Sequence, residues 1–181
     1  MNVSRLPLVA ALGALIGCAS APPTVPVASR VDLDRFMGDW YVIANIPTAI
    51  ETSAYNAVES YAREDDGRIA TTFRFNDGSF DGPLKTYTPV GFVRDDPSNA
   101  VWGMRFIWPI KAEYVISWLD DDYSETIIAR SKLDYVWIMA RTPQISDERY
   151  EALVARAGQM GYDTSKIRRV PQQSANERAA R

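Results

Sequence analysis

The chemistry open to this chain is bounded by what it lacks. Its 181 residues include no histidine and a single cysteine, Cys18. Without histidine the commonest general base and metal ligand are missing, along with the Ser-His-Asp and Cys-His nucleophile systems. One cysteine closes no internal disulfide and builds no zinc or iron–sulfur cluster. No metal and no cofactor is expected. Carboxylate and guanidinium groups remain, and Glu59, Arg74 and Arg105 stand out because each sits among apolar neighbours in a β-rich stretch. Surface placement is expected for both arginines. Alternation sends Glu59 inward with Tyr61. Near an opening it would meet a cationic headgroup such as choline or ethanolamine; deep inside it would need a partner or a raised pKa.

Cys18 raises a different chemistry. The stretch from Leu6 to Gly17 is almost unbroken apolar sequence after the single charge of Arg5. It is shorter than the roughly 20 residues of a spanning helix. A positive start, a short apolar region and small residues at its end describe a secretory signal. The ending Leu15-Ile16-Gly17-Cys18 resembles the bacterial lipobox. That resemblance implies cleavage before Cys18, residues 1–17 being the signal, and a thioether-linked diacylglyceryl group with an N-terminal acyl chain such as palmitate on Cys18. Three chains exceed the two-signal requirement for stable anchoring. Ala19 after the cysteine resembles the sorting signal for the outer membrane. A general secretory signal with an incidental Cys18 is the alternative.

The elements that would carry a site begin after residue 30. Residues 18–30 hold the lipidated Cys18 and a segment with Pro22, Pro23 and Pro26, which reads as a linker. Strands are expected near 39–46, 55–63, 68–75, 84–93, 99–107, 112–119, 124–130 and 134–140, divided by Asp-, Asn- and Gly-rich turns. Eight short antiparallel strands joined in sequence suggest an up-and-down barrel, whose closure removes exposed edges. One helix follows: Ser146 suits an N-cap, Asp147 and Glu148 the first turn, and Gly161 the stop. Its stripe of Tyr150, Leu153, Val154, Ala157 and Met160 should pack on the outside of the barrel. A final strand is expected within 166–170 and a flexible tail over 173–181.

Three segments in order carry a family resemblance. VDLDRFMGDWYVIANIP, with the Gly-x-Trp motif at Gly38 and Trp40, resembles the first conserved region of lipocalins; LDDDYSETIIAR resembles the second, and DYVWIMARTP, ending near Arg141, the third. The resemblance covers about 31–172 and is greatest to bacterial outer-membrane lipoprotein lipocalins of the Blc type. It implies an all-β fold, an eight-stranded up-and-down barrel with one C-terminal helix on its outside. It also implies that Arg141 lies across the Trp40 indole. Gly38, Trp40 and Arg141 are read as structural, not as binding residues.

An eight-stranded barrel holds side chains or one small ligand. With Trp40 inward, alternation adds Val42, Ala44 and Ile46. The other strands supply Ala57, Glu59 and Tyr61; Phe73 and Phe75; Trp102, Met104, Phe106 and Trp108; Tyr114, Ile116 and Trp118. The family resemblance adds Tyr135, Trp137 and Met139. A one-residue slip would invert any set. These side chains line a cavity or simply fill the core. The segment FIWPIKAEY at 106–114 should form a hairpin at the open end, where Ile107, Trp108 and Ile110 touch membrane, meet a second subunit, or belong to a lid.

The function implied is a lipid-binding protein tethered to the outer membrane on its periplasmic side, taking fatty acids or lysophospholipids for storage or transport. A homodimer is open on family grounds. The net charge of −3 offers no basic footprint for nucleic acid. The competing readings are a lipocalin-fold enzyme working through Glu59 and an envelope scaffold with a filled barrel.

Overall fold

The structure, a computed structural model, describes residues 21–174, 176 and 177. The signal segment and Cys18 lie outside the described residues.

Ten strands form one antiparallel sheet: β1 (Gly38–Ile46), β2 (Ala54–Arg63), β3 (Arg68–Asp77), β4 (Leu84–Tyr87), β5 (Val90–Val93), β6 (Val101–Ile107), β7 (Ile110–Leu119), β8 (Glu125–Ala129), β9 (Val136–Ala140) and β10 (Arg168–Arg169). Each barrel strand pairs with the next, and β1 pairs with β9, so the sheet closes. β4 and β5 both pair with β3 and act as one interrupted strand. Pro89, between them, has no N–H for the ladder. Eight barrel strands result, as expected, with the single strand over 84–93 resolved into two.

The turns β1–β2, β3–β4, β6–β7 and β8–β9 gather at one end, here the upper end. At the lower end the short helix α1 (Leu33–Phe36) crosses the barrel, capped by the Asp32 carboxylate, which accepts from the Asp34 and Arg35 amides. Phe36 then packs inside with its ring 5.0 Å from Trp40 and 5.6 Å from both Tyr61 and Trp102. Gly38, with φ of +93°, makes the bend from this plug into β1. Trp40, Trp102 and Phe36 are almost fully buried, so the lower half of the barrel is solid aromatic core.

Register shifts interrupt four of the ladders, and two of them decide which side chains of β1 and β7 face in. The β1–β9 register shifts between Val42 and Ala44, and the β7–β8 register between Ile116 and Trp118. An extra residue reverses alternation beyond it. Val42 and Ile116 therefore belong to the inner core, whereas Ala44, Ile46 and Trp118 turn outward into a second core beneath the helix. Their expected inward placement is corrected by these bulges.

That second core seats α2 (Asp147–Gln159). The Ser146 hydroxyl accepts from the Arg149 amide, Asp147 and Glu148 occupy the first turn, and Gly161, at φ of +103°, turns the chain after the helix. Leu153 and Ala157 pack with Val136, Ile138 and Ile127 on the barrel exterior.

The ends of the described chain are more ordered than the sequence suggests. The stretch read as a linker lies against the wall: Thr24 donates to Ser131 Oγ through its amide and to Ser131 O through its hydroxyl, Ala28 N–H donates to Ile116 O at 2.9 Å, and Val25 is buried in the outer core. The start of the expected flexible tail is likewise held. The Gln172 amide donates to Val42 O and Ala57 O, and Gln173 is buried and paired with the Asn56 side chain.

Candidate functional site

Above the aromatic floor the barrel is hollow. A space of about 150 Å³ opens toward the upper end. β2 contributes Glu59, β3 Phe73, β6 Met104 and Phe106, β7 Tyr114, and β9 Trp137. All six were expected from alternation or the family resemblance. Tyr61, Phe75, Ile116 and Met139 also face inward but belong to the packed core around the hollow rather than to its wall. Ala44 and Trp118 are outside, Trp118 lying under the guanidinium of Arg156 at 4.7 Å. Tyr135 precedes β9 and stays at the turn, its ring facing Arg130 and its carbonyl accepting from the Tyr162 hydroxyl; it does not line the hollow. Arg74 is on the exterior, paired with Asp39, and Arg105 lies over the exterior ring of Phe92.

The loop between β1 and β2 supplies wall residues that alternation could not reach: Thr48, Ile50 and Glu51. Glu51 is 2% exposed. Its carboxylate accepts from Thr48 N at 2.9 Å, Thr48 Oγ1 at 2.8 Å and Trp137 Nε1 at 3.1 Å. Arg168 fastens the loop by donating to Glu51 O at 2.7 Å. Glu51 is thus a hydrogen-bonded strut that orients Trp137.

Glu59 is placed differently. It is 8% exposed at the deep end of the hollow, and no cationic group lies within ion-pairing distance among the described residues. Tyr61 donates to it, and the Tyr61 and Tyr114 hydroxyls bond each other. Burial pushes the Glu59 carboxyl up from its ordinary 4.5 to about 7; the Tyr61 hydrogen bond opposes the rise and the Glu51 charge adds to it. Burial also holds both tyrosines neutral, well above their ordinary range. Of the two environments considered for Glu59, the structure selects the deep one with a raised pKa.

One more polar group faces inward unmet. Beyond the β1 bulge, Asn45 pairs across the ladder with Trp137 and so shares its inner face. Asn45 is fully buried, and neither its Oδ1 nor its Nδ2 has a partner. The bulge that turns Ala44 out is what turns Asn45 in.

The mouth is bordered by an apolar lip. Ile107 pairs with Ile110 around the tight turn at Trp108–Pro109. Phe106 is 51% exposed, Ile107 73%, Trp108 79% and Ile110 68%, so the inward placement expected of Trp108 is corrected: it sits at the turn, past the end of β6. This hairpin is no lid packed on its own barrel. Phe106 belongs both to the lip and to the hollow, so the two surfaces are continuous.

The signature residues act at the lower end. The Arg141 guanidinium lies 3.9 Å above the Trp40 ring, as the family resemblance implied. It also donates to the carbonyls of Asp39, Arg35, Phe36 and Tyr123.

Comparison with known proteins agrees with this architecture. A family model described as a lipocalin-like domain matches residues 31–172. The chain is 31% identical over 175 residues to the outer membrane lipoprotein Blc of Citrobacter freundii, covering 94% of this chain and 98% of that protein. It is 29% identical to temperature-induced lipocalin-1 of Arabidopsis thaliana, over 81% of this chain and 82% of the relative. Among solved structures, insecticyanin from the tobacco hornworm Manduca sexta superimposes with a TM-score of 0.64 at 16% identity, covering 86% of this chain and 88% of its own. Lobster apocrustacyanin A1 gives 0.59 at 15% identity, over 86% and 95%.

Proposed function

The chain belongs to the lipocalin family, and on that premise we propose that it binds a fatty acid or lysophospholipid in its barrel, for storage or transport in membrane maintenance. In this reading it is held at the outer membrane by a lipid on Cys18, with the barrel on the periplasmic side. The similarity to outer membrane lipoproteins of the Blc type supports that location. The role is one of binding and not of catalysis.

The observation that carries the reading is the hollow itself, apolar for most of its wall and continuous with the exposed lip. Its size sets the mode of binding. About 150 Å³ matches an engineered apolar cavity that admits benzene, so it accepts one end of an amphiphile. The rest of the molecule would lie along Phe106 and Ile107. A second copy of the chain covering the same lip is the competing use of that surface.

The test is native mass spectrometry of the purified protein, with titration of its tryptophan fluorescence by single-chain lipids. A co-purifying acyl ligand and saturable quenching at micromolar lipid support the reading. Absence of both overturns it, and a dimer mass without ligand favours the competing use.

A further inference from the structure

We propose that the hollow selects amphiphiles bearing a cationic ammonium group, Glu59 serving as the buried counter-ion. This rests on the lipid-binding reading and narrows it to the class of ligand.

The argument begins with a carboxyl that has lost water and gained no cation. Glu59 is 8% exposed, and the groups facing it are Tyr61 from its own strand, Tyr114 from β7 and Glu51 from the β1–β2 loop. Two are neutral hydroxyls and the third repels it. A buried carboxylate with no counter-charge is costly. A ligand ammonium reaching the floor would supply the missing charge. A fatty-acid carboxylate would meet two carboxylates and no compensating guanidinium at that depth. Arg130, the one cationic wall residue among the described residues, is already engaged by Asp134 at 3.5 Å.

The wall of the hollow, with Phe73, Met104 and Trp137, is apolar and aromatic. Aromatic faces attract ammonium groups and give a carboxylate nothing comparable. The arrangement suits an ammonium end placed deep and an alkyl remainder running out over the lip.

The test uses three probes of one chain length: dodecylamine, dodecanol and dodecanoate, titrated into the full-length protein at pH 8 and pH 5.5. At pH 8 the amine should bind at least tenfold tighter than the acid, with the alcohol between them. At pH 5.5, where Glu59 is protonated, the gap should shrink to about threefold or less. Glu59→Gln, which keeps shape and removes charge, should bring amine and acid within about twofold at pH 8. The acid binding as tightly as the amine at pH 8 overturns the proposal, as does an amine preference unchanged in Glu59→Gln. If acid and alcohol bind but the amine does not, this inference fails while lipid binding stands. If none of the three binds, both fail. Should the variant not fold, the amine-to-alcohol ratio on the unaltered protein at the two pH values reads the same charge, because neither of those probes titrates in that range.

Discussion

Arg141 holds the floor of the barrel through Trp40: its guanidinium sits 3.9 Å over the indole, while the indole N–H donates to Phe36 O at 2.8 Å. Arginine, plug helix and first strand are thereby joined in one unit. Arg141→Ala removes a stacked cation and the hydrogen bonds to four carbonyls. A loss of about 2–4 kcal/mol is expected from the magnitudes of such bonds, discounted for its partial exposure. Urea unfolding should show a lower midpoint with an unchanged slope, and ligand binding at the upper end should persist. A midpoint within error of the parent protein would remove Arg141 from this role.

Glu59 should make stability depend on pH in a defined window. Its folded pKa, about 7, lies above its ordinary 4.5, so the folded state binds more protons than the unfolded state between those values. Stability is therefore full below about pH 4.5 and falls as pH rises toward 7, by about 3 kcal/mol for a shift of this size. Glu59→Gln should flatten that decline, leaving the variant more stable than the parent at pH 8 and close to it at pH 4.5. Thermal unfolding across the range reads this directly, and parallel curves for the two proteins would refute it.

Asn45 carries a cost that a simple substitution can relieve. Its buried amide makes no hydrogen bond, and leaving such a group unsatisfied costs about 1–3 kcal/mol. Asn45→Leu keeps the branched skeleton, in a bulkier form, and has no polar atom. The ligand-free variant should unfold at a higher temperature than the parent. A lower unfolding temperature would mean that the native site already meets the amide's demand.

The N-terminal segment should behave as part of the barrel. Val25 is 5% exposed among outer-core residues, and the Ala28 amide is bonded to Ile116 O. Val25→Asp would bury a charge without a partner. Hydrogen exchange at the Ala28 amide should be slow in the parent and fast in the variant. Fast exchange in both would return the segment to the status of a free linker.

How much of this was legible in the residues depends on whether their environment was local. Period-two alternation located Glu59, Phe73, Met104 and Tyr114 because each keeps unbroken register with an inner-face neighbour on its own strand, respectively Tyr61, Phe75, Trp102 and Ile116. It failed for Ala44 and Trp118 because bulges intervene, and nothing in Ile43 or Ser117 marks an extra residue. The same failure hid Asn45, which reads as an outward amide until the bulge is known. Glu51 was out of reach for a different reason. It lies in a loop, and only closure of the barrel brings Trp137 to it. The proline-rich start read as a spacer on composition alone, although Val25 and Ala28 supply the small apolar contacts that fix it to β7. Arg141 and Trp40 were legible only through the family resemblance, since 101 residues separate them.

The docked N-terminal segment has a further effect on how ligand would arrive. Counted from Cys18 to Arg30 the spacer has an extended reach of roughly 40 Å. Arg94, however, already holds the carbonyl of Ala21 at 3.3 Å. Three residue steps from Cys18 to Ala21 span at most about 11 Å. In the lipidated form proposed above, the barrel wall would rest against the headgroups instead of swinging free above them. Lipid capture would then be governed by a fixed local concentration at the surface and not by the aqueous monomer pool. Lengthening the spacer between Cys18 and Ala21 would slow loading without altering the intrinsic affinity of the hollow.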